Sequence, residues 1–332
     1  VVEVQKNFFL ISNGKTETLV SAAGRLKHHK RRIFPIIGDW VLVDRNTIID
    51  VLHRKNALSR GAAGSRGNPD LYSQKEQAIA ANLDTIFIVC GLDRDFNVRR
   101  IERYLTLVYN CGLNPVIILT KSDLNPDSDG CADQVSSVAF QVPVYPLSSK
   151  DGTGLAPLEP YLSPGKTIAL IGSSGAGKST LVNRLSGKKV QATGSISGRV
   201  GKGRHVTTAR SLIQMPRGGL IIDNPGIREI ALWNDDQGLE DTFPDIETLA
   251  QSCRFSDCTH TREPGCRVRH AVDNGDIEPH RLGSYHKLKR ELDFLSQRRH
   301  KSADRIEKER WQHVALKIKN MKKKGKHQKG SW

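Results

Sequence analysis

The residues from Gly172 to Thr180 read GSSGAGKST and satisfy the spacing G-x-x-x-x-G-K-[ST]. They lie between the strand-like run KTIALI and the amphipathic run LVNRLSG. These residue types at this spacing suit the binding of a chain of phosphates. Gly172, Gly175 and Gly177 let the backbone, with Ser173, Ser174 and Ala176, wrap so that N–H groups point inward at phosphate oxygens. The helix that follows adds its positive N-terminal end. Lys178 would reach the β- and γ-phosphates, the Ser179 hydroxyl that completes the motif would ligate Mg²⁺, and Thr180 follows beside the phosphates. The loop alone does not choose between ATP and GTP.

The base is chosen elsewhere. Thr120, Lys121, Ser122 and Asp123 (TKSD) end the strand-like run PVIIL. A carboxylate at Asp123 can accept both N1–H and N2–H₂ of guanine, and adenine offers no matching pair of donors. The Lys121 stem would pack along the base. Ser148, Ser149 and Lys150 follow another strand-like run and resemble the second guanine-contacting loop of GTPases. An N-cap or a turn would explain Asp123 taken singly. Two such segments at strand ends, in a chain with a phosphate loop, favour guanine over the rival reading of an ATPase or nucleotide kinase.

Asp223 to Gly226 (DNPG) end the run GGLIID. An aspartate there can hold Mg²⁺ through water, and the Gly226 N–H can meet the γ-phosphate. Before it lies TGSISGRVGKGRHVTTAR, whose glycines predict a mobile loop in which Thr207 or Thr208 supplies a hydroxyl to Mg²⁺ and the γ-phosphate. The expected magnesium set is Ser179, Thr208 and Asp223. Many GTPases place a water-orienting Gln just after D-x-x-G. Here Ile227 stands there and cannot orient water. His205 is the candidate replacement, making His205, Lys178 and Gly226 the expected catalytic set. A surface histidine that touches RNA or nothing is the alternative. Ile227 also keeps open a non-catalytic RNA-binding module with nucleotide as a structural ligand.

A second constellation is Cys253, Cys258, His260 and Cys266, spaced C-x4-C-x-H-x5-C. Three thiolates and one imidazole are a closed tetrahedral set, the pattern of one structural zinc. Clustered Cys and His without a secretory signal favour metal over disulfides. The remaining cysteines (Cys90, Cys111 and Cys131) are scattered and carry no assignment. Arg254, Arg262, Arg267 and Arg269 around the cluster suit phosphate contact, or a plain solvated face.

These residues must be positioned by a chain of 332 residues, long enough for two or three domains. It is 37% hydrophobic and 26% charged, with no apolar run near the roughly 18 residues of a membrane span. The net charge is +16, and residues 286–332 hold 16 Lys/Arg against 5 Asp/Glu, a net +11. That excess favours a polyanion, which by composition alone is RNA, DNA or an acidic membrane surface. Residues 1–75 show short β-like runs and the basic segment KHHKRR, suggesting an OB-type β-barrel. Residues 76–232 alternate strand and helix patterns, with Val98, Ile101, Leu105 and Val108 on one helix face, an α/β domain with a mostly parallel sheet. Residues 233–300 hold the Cys/His cluster and lead into a charged helix expected to run to about Met321. Residues 301–332 read as a basic helical or disordered tail.

Order along the chain is informative. GTPases ordinarily run from the phosphate loop to N-K-x-D and S-A-K, whereas here TKSD and SSK come first. The same parts in rotated order indicate a circular permutation. Together with a β-barrel before and C-x4-C-x-H-x5-C after, the order resembles the circularly permuted ribosome-assembly GTPases of the RsgA/YjeQ family. The likeness covers nearly the whole chain. It implies an N-terminal OB fold, a permuted GTPase domain and a C-terminal α-helical zinc domain. It also implies action late in small ribosomal subunit maturation, with rRNA contact and GTP hydrolysis to GDP and phosphate stimulated by the small subunit. A cytoplasmic monomer with no membrane partner is expected. The departure is Thr120 where the motif has Asn; Asp123, the discriminating residue, is retained.

Overall fold

The computed structural model describes residues 1–5, 8–28, 33–60, 77–188, 210–223 and 237–300. It opens with five short strands: β1 (Glu3–Val4), β2 (Phe8–Ser12), β3 (Glu17–Ala22), β4 (Val41–Asp44) and β5 (Thr47–Val51). They pair in the order β1-β2-β3-β5-β4, antiparallel except for the parallel pair β3/β5 at Ser21↔Thr47 and Ala22↔Ile48. Side chains alternate across a strand. Phe9, Val20, Ala22 and Ile48 therefore point to one face and bury there with Leu26 of the short helix α1 (Gly24–His28). Phe8 and Leu19 face outward and are exposed. A separate two-stranded ribbon, β6 (Ala57–Arg60) with β7 (Gln77–Ala81), leads on.

The centre is a parallel sheet. Strands β8 (Thr85–Gly91), β9 (Pro115–Thr120), β10 (Val144–Pro146), β11 (Thr167–Ile171) and β13 (Leu220–Asp223) lie in the order β10-β9-β8-β11-β13. β12 (Arg210–Gln214) runs antiparallel beside β13 and also pairs with β1, so the N-terminal strands continue one eleven-stranded sheet. Every residue of β8 is buried, as a parallel strand covered on both faces requires. Alternation divides its side chains between two cores. Ile86 and Ile88 pack with Ile101, Leu105 and Val108 of α2 (Val98–Asn110), the helix face read from the spacing. Phe87 and Val89 pack on the opposite face with Leu181 and Val182 of α4 (Lys178–Ser186). α3 (Ser128–Ser136) covers the edge near β10, with Val135 buried. No helix among the described residues is long and apolar enough to cross a membrane.

Four helices follow: α5 (Gln237–Thr242), α6 (Pro244–Ala250), α7 (Arg267–Asn274) and α8 (Pro279–His300). The charged helix begins at Pro279, and its expected continuation to Met321 lies outside the described residues. These helices share the α2 core through Phe243, Ile246, Val268, Tyr285 and Leu288. α5 lies close enough to α2 that a Cβ on Gly238 would come within 2.0 Å of Asn110 Oδ1, and the Gly238 N–H donates to that oxygen at 2.8 Å. Arg281 is buried between Glu102 of α2 (2.9 Å) and Asp245 of α6 (2.5 Å), with its guanidinium 4.7 Å from the Phe243 ring centre. Arg103 pairs with both oxygens of Glu291 at 2.6 Å.

Candidate nucleotide site and candidate metal centre

In a parallel sheet, the carboxyl ends of the strands share one edge, and ligands bind there. The segments TKSD, SSK and GSSGAGKST follow β9, β10 and β11, and Asp223 ends β13, so the fold brings them to that one edge. Gly172 leaves β11 at φ +145°, and a Cβ there would sit 2.1 Å from the Val89 carbonyl oxygen, so only glycine fits against β8. Gly177 turns the chain into α4 at φ +92°. Between them Ser174 and Gly175 are exposed, and Ala176 is buried beneath the loop. Lys178 Nζ donates to the carbonyls of Gly172 (2.7 Å) and Ser173 (2.5 Å), folding over the loop it belongs to. Ser179 is half-buried and Thr180 exposed on the first turn of α4.

The TKSD segment is tied directly to this loop. Thr120 is buried, and its Oγ1 donates to the Ala176 carbonyl at 2.6 Å. Lys121 adopts φ +63°, and its Nζ donates to the Gly175 carbonyl at 2.6 Å while pairing with Asp93 at 2.6 Å. The side chain at position 120 thus grips the phosphate loop, which gives Thr a structural account in a place where Asn was expected. Burial opposes ionisation of Asp93, but Lys121 and the Asp95 N–H outweigh it and hold the carboxyl below its ordinary range. Asp123 lies exposed in the 3₁₀ turn Ser122–Leu124.

The TKSD and SSK segments also touch each other, since Ser122 N–H donates to the Leu147 carbonyl at 3.2 Å. Ser148 is fully buried and shapes its loop by accepting from Lys150 N–H at 3.3 Å. Ser149 Oγ is buried with no hydrogen-bond partner among the described residues, and Lys150 is exposed. A buried hydroxyl without a partner is costly unless something else satisfies it. A polar ligand edge at this place would do so. Asp223 closes β13 opposite Ser211 in the antiparallel register. His205, Thr207, Thr208, Gly226 and Ile227 lie outside the described residues.

Cys253, Cys258, His260 and Cys266 converge, their ligand atoms all within 4.8 Å of one another. Cys266 Sγ lies 3.4 Å and Cys253 Sγ 3.7 Å from His260 Nδ1, and the two sulfurs are 3.9 Å apart. Tetrahedral Zn–S and Zn–N bonds place such ligand atoms roughly 3.5–3.8 Å apart. The set therefore fits a four-coordinate metal, with Nδ1 as the ligating nitrogen. Burial, then Lys289 and His286, lower the His260 pKa, which favours the neutral imidazole that a metal needs. Glu263 ties the loop by accepting N–H bonds from Thr261 (2.9 Å) and Arg262 (3.0 Å). With the Thr259 hydroxyl as the largest influence, its carboxyl is held far below the usual range. The Tyr285 ring of α8 backs His260 at 6.3 Å.

Sequence reasoning missed Asp93 and Asp95. The readable signal is a D-x-D one residue past a strand buried along its whole length, in the loop that must share the ligand edge. It also missed the buried Glu102–Arg281 pair, whose partners are 179 residues apart.

A glycine-turned G-x-x-x-x-G-K-[ST] loop on a central parallel strand, with the TKSD and SSK segments on strands that precede it in the chain, defines a P-loop domain in circularly permuted order. The family model for the RsgA GTPase matches residues 51–233. The chain belongs to the RsgA GTPase family. It is 44% identical to a small ribosomal subunit biogenesis GTPase RsgA from Opitutus terrae, over 93% of this chain and 87% of that one. It is 48% identical to a protein of the same name from Methanosarcina acetivorans, over 87% and 78% of the two chains. Among solved structures, YjeQ from Thermotoga maritima superposes with a TM-score of 0.62 at 26% identity, over 88% of this chain and 96% of that one. YloQ, described as a circularly permuted GTPase, gives 0.59 at 26% identity, over 88% and 93%.

Proposed function

We propose that this protein is a GTPase of small ribosomal subunit maturation that binds rRNA and hydrolyses GTP when engaged with the subunit. The observation that carries the reading is the direct hydrogen bonding of Thr120 and Lys121 to the phosphate-loop carbonyls. It joins a guanine-reading segment to a phosphate-binding one in a single site. Its relatives named as small ribosomal subunit biogenesis GTPases supply the biological setting. Asp123 would read the base, with Ser149 and Lys150 beside it. The N–H groups of Ser173 to Thr180 would cradle the phosphates, and Lys178 would swing from the loop carbonyls to the β- and γ-phosphates. Mg²⁺ would be held by Ser179, Thr208 and Asp223 and would neutralise charge on the phosphates. His205 would orient the attacking water in place of the residue that Ile227 cannot supply, and Gly226 would donate its N–H to the γ-phosphate. The Cys₃His set would hold one structural zinc.

The domain reading follows the same division: 1–75 an OB-like barrel, 76–232 the permuted GTPase domain, 233–300 the zinc-binding unit and 301–332 a basic tail. The strand order β1-β2-β3-β5-β4 with a parallel β3/β5 pair supports the OB reading, since a five-stranded Greek-key barrel is wound that way. The barrel, the arginines near the metal and the tail would grip rRNA. A cytoplasmic monomer remains the reading of its setting.

The test is GTP turnover with and without purified small subunits, alongside competition of labelled GTP by excess ATP. Slow turnover that rises sharply with subunits, and no competition by ATP, is the expected result. Effective ATP competition would replace the guanine reading with an ATPase or kinase, and absent stimulation would favour a binding module. His205→Ala is expected to lose most of the stimulated rate and retain GTP affinity; a full stimulated rate removes His205 from the mechanism. Deleting residues 301–332 is expected to weaken subunit binding, with a shallower dependence of affinity on salt as phosphate contacts are lost. An unaltered salt slope would show that the tail makes none.

A further inference from the structure

The loop that joins β8 to α2, residues 92–97, lies at the same strand edge as the nucleotide segments. It carries two carboxylates to which no role has yet been assigned. Asp93 uses both oxygens: Oδ2 pairs with Lys121 Nζ at 2.6 Å and Oδ1 accepts the Asp95 N–H at 3.0 Å. Asp95 also uses both: one oxygen accepts the Ser173 hydroxyl of the phosphate loop, and the other pairs with Arg100 of α2. The loop is anchored at its two ends. Leu92 N–H donates to the Thr120 carbonyl at 2.8 Å, and Asn97 caps α2 by accepting the Arg100 N–H at 3.1 Å.

We propose that Asp93 and Asp95 are positioning residues of the nucleotide site, forming a brace that holds the base-reading segment and the phosphate loop at a fixed separation. The inference rests on the guanine-nucleotide reading above. Carboxylates beside a polyphosphate site repel the ligand unless their charge is matched. Here Lys121 and Arg100 match it, so the pair serves geometry and not charge attraction. A nucleotide spans both ends of the site at once. Each end that wanders in the free protein must be ordered on binding, and a brace set in advance removes that cost. Its loss therefore speeds dissociation more than it slows association. The brace joins segments distant in the chain, since Asp95 and Ser173 are 78 residues apart.

The experiment measures the affinity of the full chain for fluorescent GDP and GTP, with steady-state turnover in the presence of small subunits. Asp93→Asn and Asp95→Ala are each expected to raise the Kd for both nucleotides by roughly three- to tenfold, the net scale of one ordinary hydrogen bond, since each acts on the ligand only through the segment it holds. The loss falls in KM and not in kcat, because neither residue meets the γ-phosphate. A merely structural role would lower the active fraction, and hence kcat, and leave KM in place. Ser173→Ala removes the Asp95 contact from its other side, and it serves if Asp95→Ala does not fold. The Ser173→Ala, Asp95→Ala double variant should be no weaker than the weaker single variant. Parental affinity in Asp93→Asn or in the Ser173/Asp95 variants, a loss confined to kcat, or additive losses in the double variant would each overturn the brace while the parent chain still binds GTP. A parent chain that binds no guanine nucleotide overturns the underlying reading first, and the brace with it.

Discussion

Cys266→Ser is expected to strip the metal from the protein and unfold the segment from Gln251 to Cys266. The reason is that this segment has almost no core of its own: within it only His260 and Cys266 are buried. The free energy of metal binding is then the free energy of folding, as in other small metal-folded units. Cys266 has a second task, because its sulfur accepts the Arg269 N–H at 3.4 Å and caps α7. Serine restores part of that cap and not the thiolate, so metal affinity should fall by more than the roughly 10- to 100-fold lost on changing a hydrogen-bond partner of a ligand. Metal analysis should give one zinc per wild-type chain and almost none in the variant. Small-subunit binding should fall with it, while GTP affinity stays near the parental value because the nucleotide site lies on other elements. A variant that retains its metal, or a metal-free chain that retains full subunit affinity, would remove the structural role of the cluster.

Arg281→Met should destabilise the docked helices by about 3–5 kcal/mol, the cost of leaving a buried charge without its partner. Glu102 is 2% exposed and would be left facing a thioether. Asp245 is partly exposed and can regain water, so the penalty centres on Glu102. The pH dependence carries the diagnosis. In the intact protein, burial already raises the Glu102 pKa, against lowering by Ser284 and Arg281. A carboxyl raised on folding contributes stability that is full below the usual carboxylate range and is lost as pH rises through its elevated pKa. Without Arg281 that pKa climbs further, so the variant's deficit should be small near pH 4 and grow toward neutrality. Denaturant melts at both pH values check this. A deficit independent of pH would mean that packing against Phe243 and Phe140, and not the ion pair, carries the effect. The companion Glu102→Gln, Arg281→Met should recover much of the loss at neutral pH, since no buried charge remains.

Much of the site was legible without coordinates because its chemistry is local. G-x-x-x-x-G-K-[ST] works through backbone turns and one lysine within eight residues, and C-x4-C-x-H-x5-C gathers four candidate metal ligands within fourteen. The parallel sheet was legible because strands buried on both faces read as unbroken apolar runs, as Thr85–Gly91 does. The alternating rhythm is lost after residue 230, and the helices α5–α8 and the Cys/His cluster lie in that later stretch. The grip of these helices on α2 was not legible. It depends on Glu102 meeting Arg281 and on Gly238 meeting Asn110, pairings that no periodicity encodes.

The rotated order of TKSD, SSK and GSSGAGKST by itself determined that this chain carries a permuted nucleotide site, since order and residue type are properties of sequence. The purpose of Thr120 was decided only by tertiary structure. Its hydroxyl reaches the Ala176 carbonyl because β9 and β11 flank β8 in one parallel sheet, which brings their carboxyl ends together. The same adjacency sets Asp93 against Lys121 and Asp95 against Ser173. Each of these contacts spans a gap in sequence that only the sheet closes, because hydrogen bonds require atoms within about 3 Å and chain proximity supplies that only within a turn.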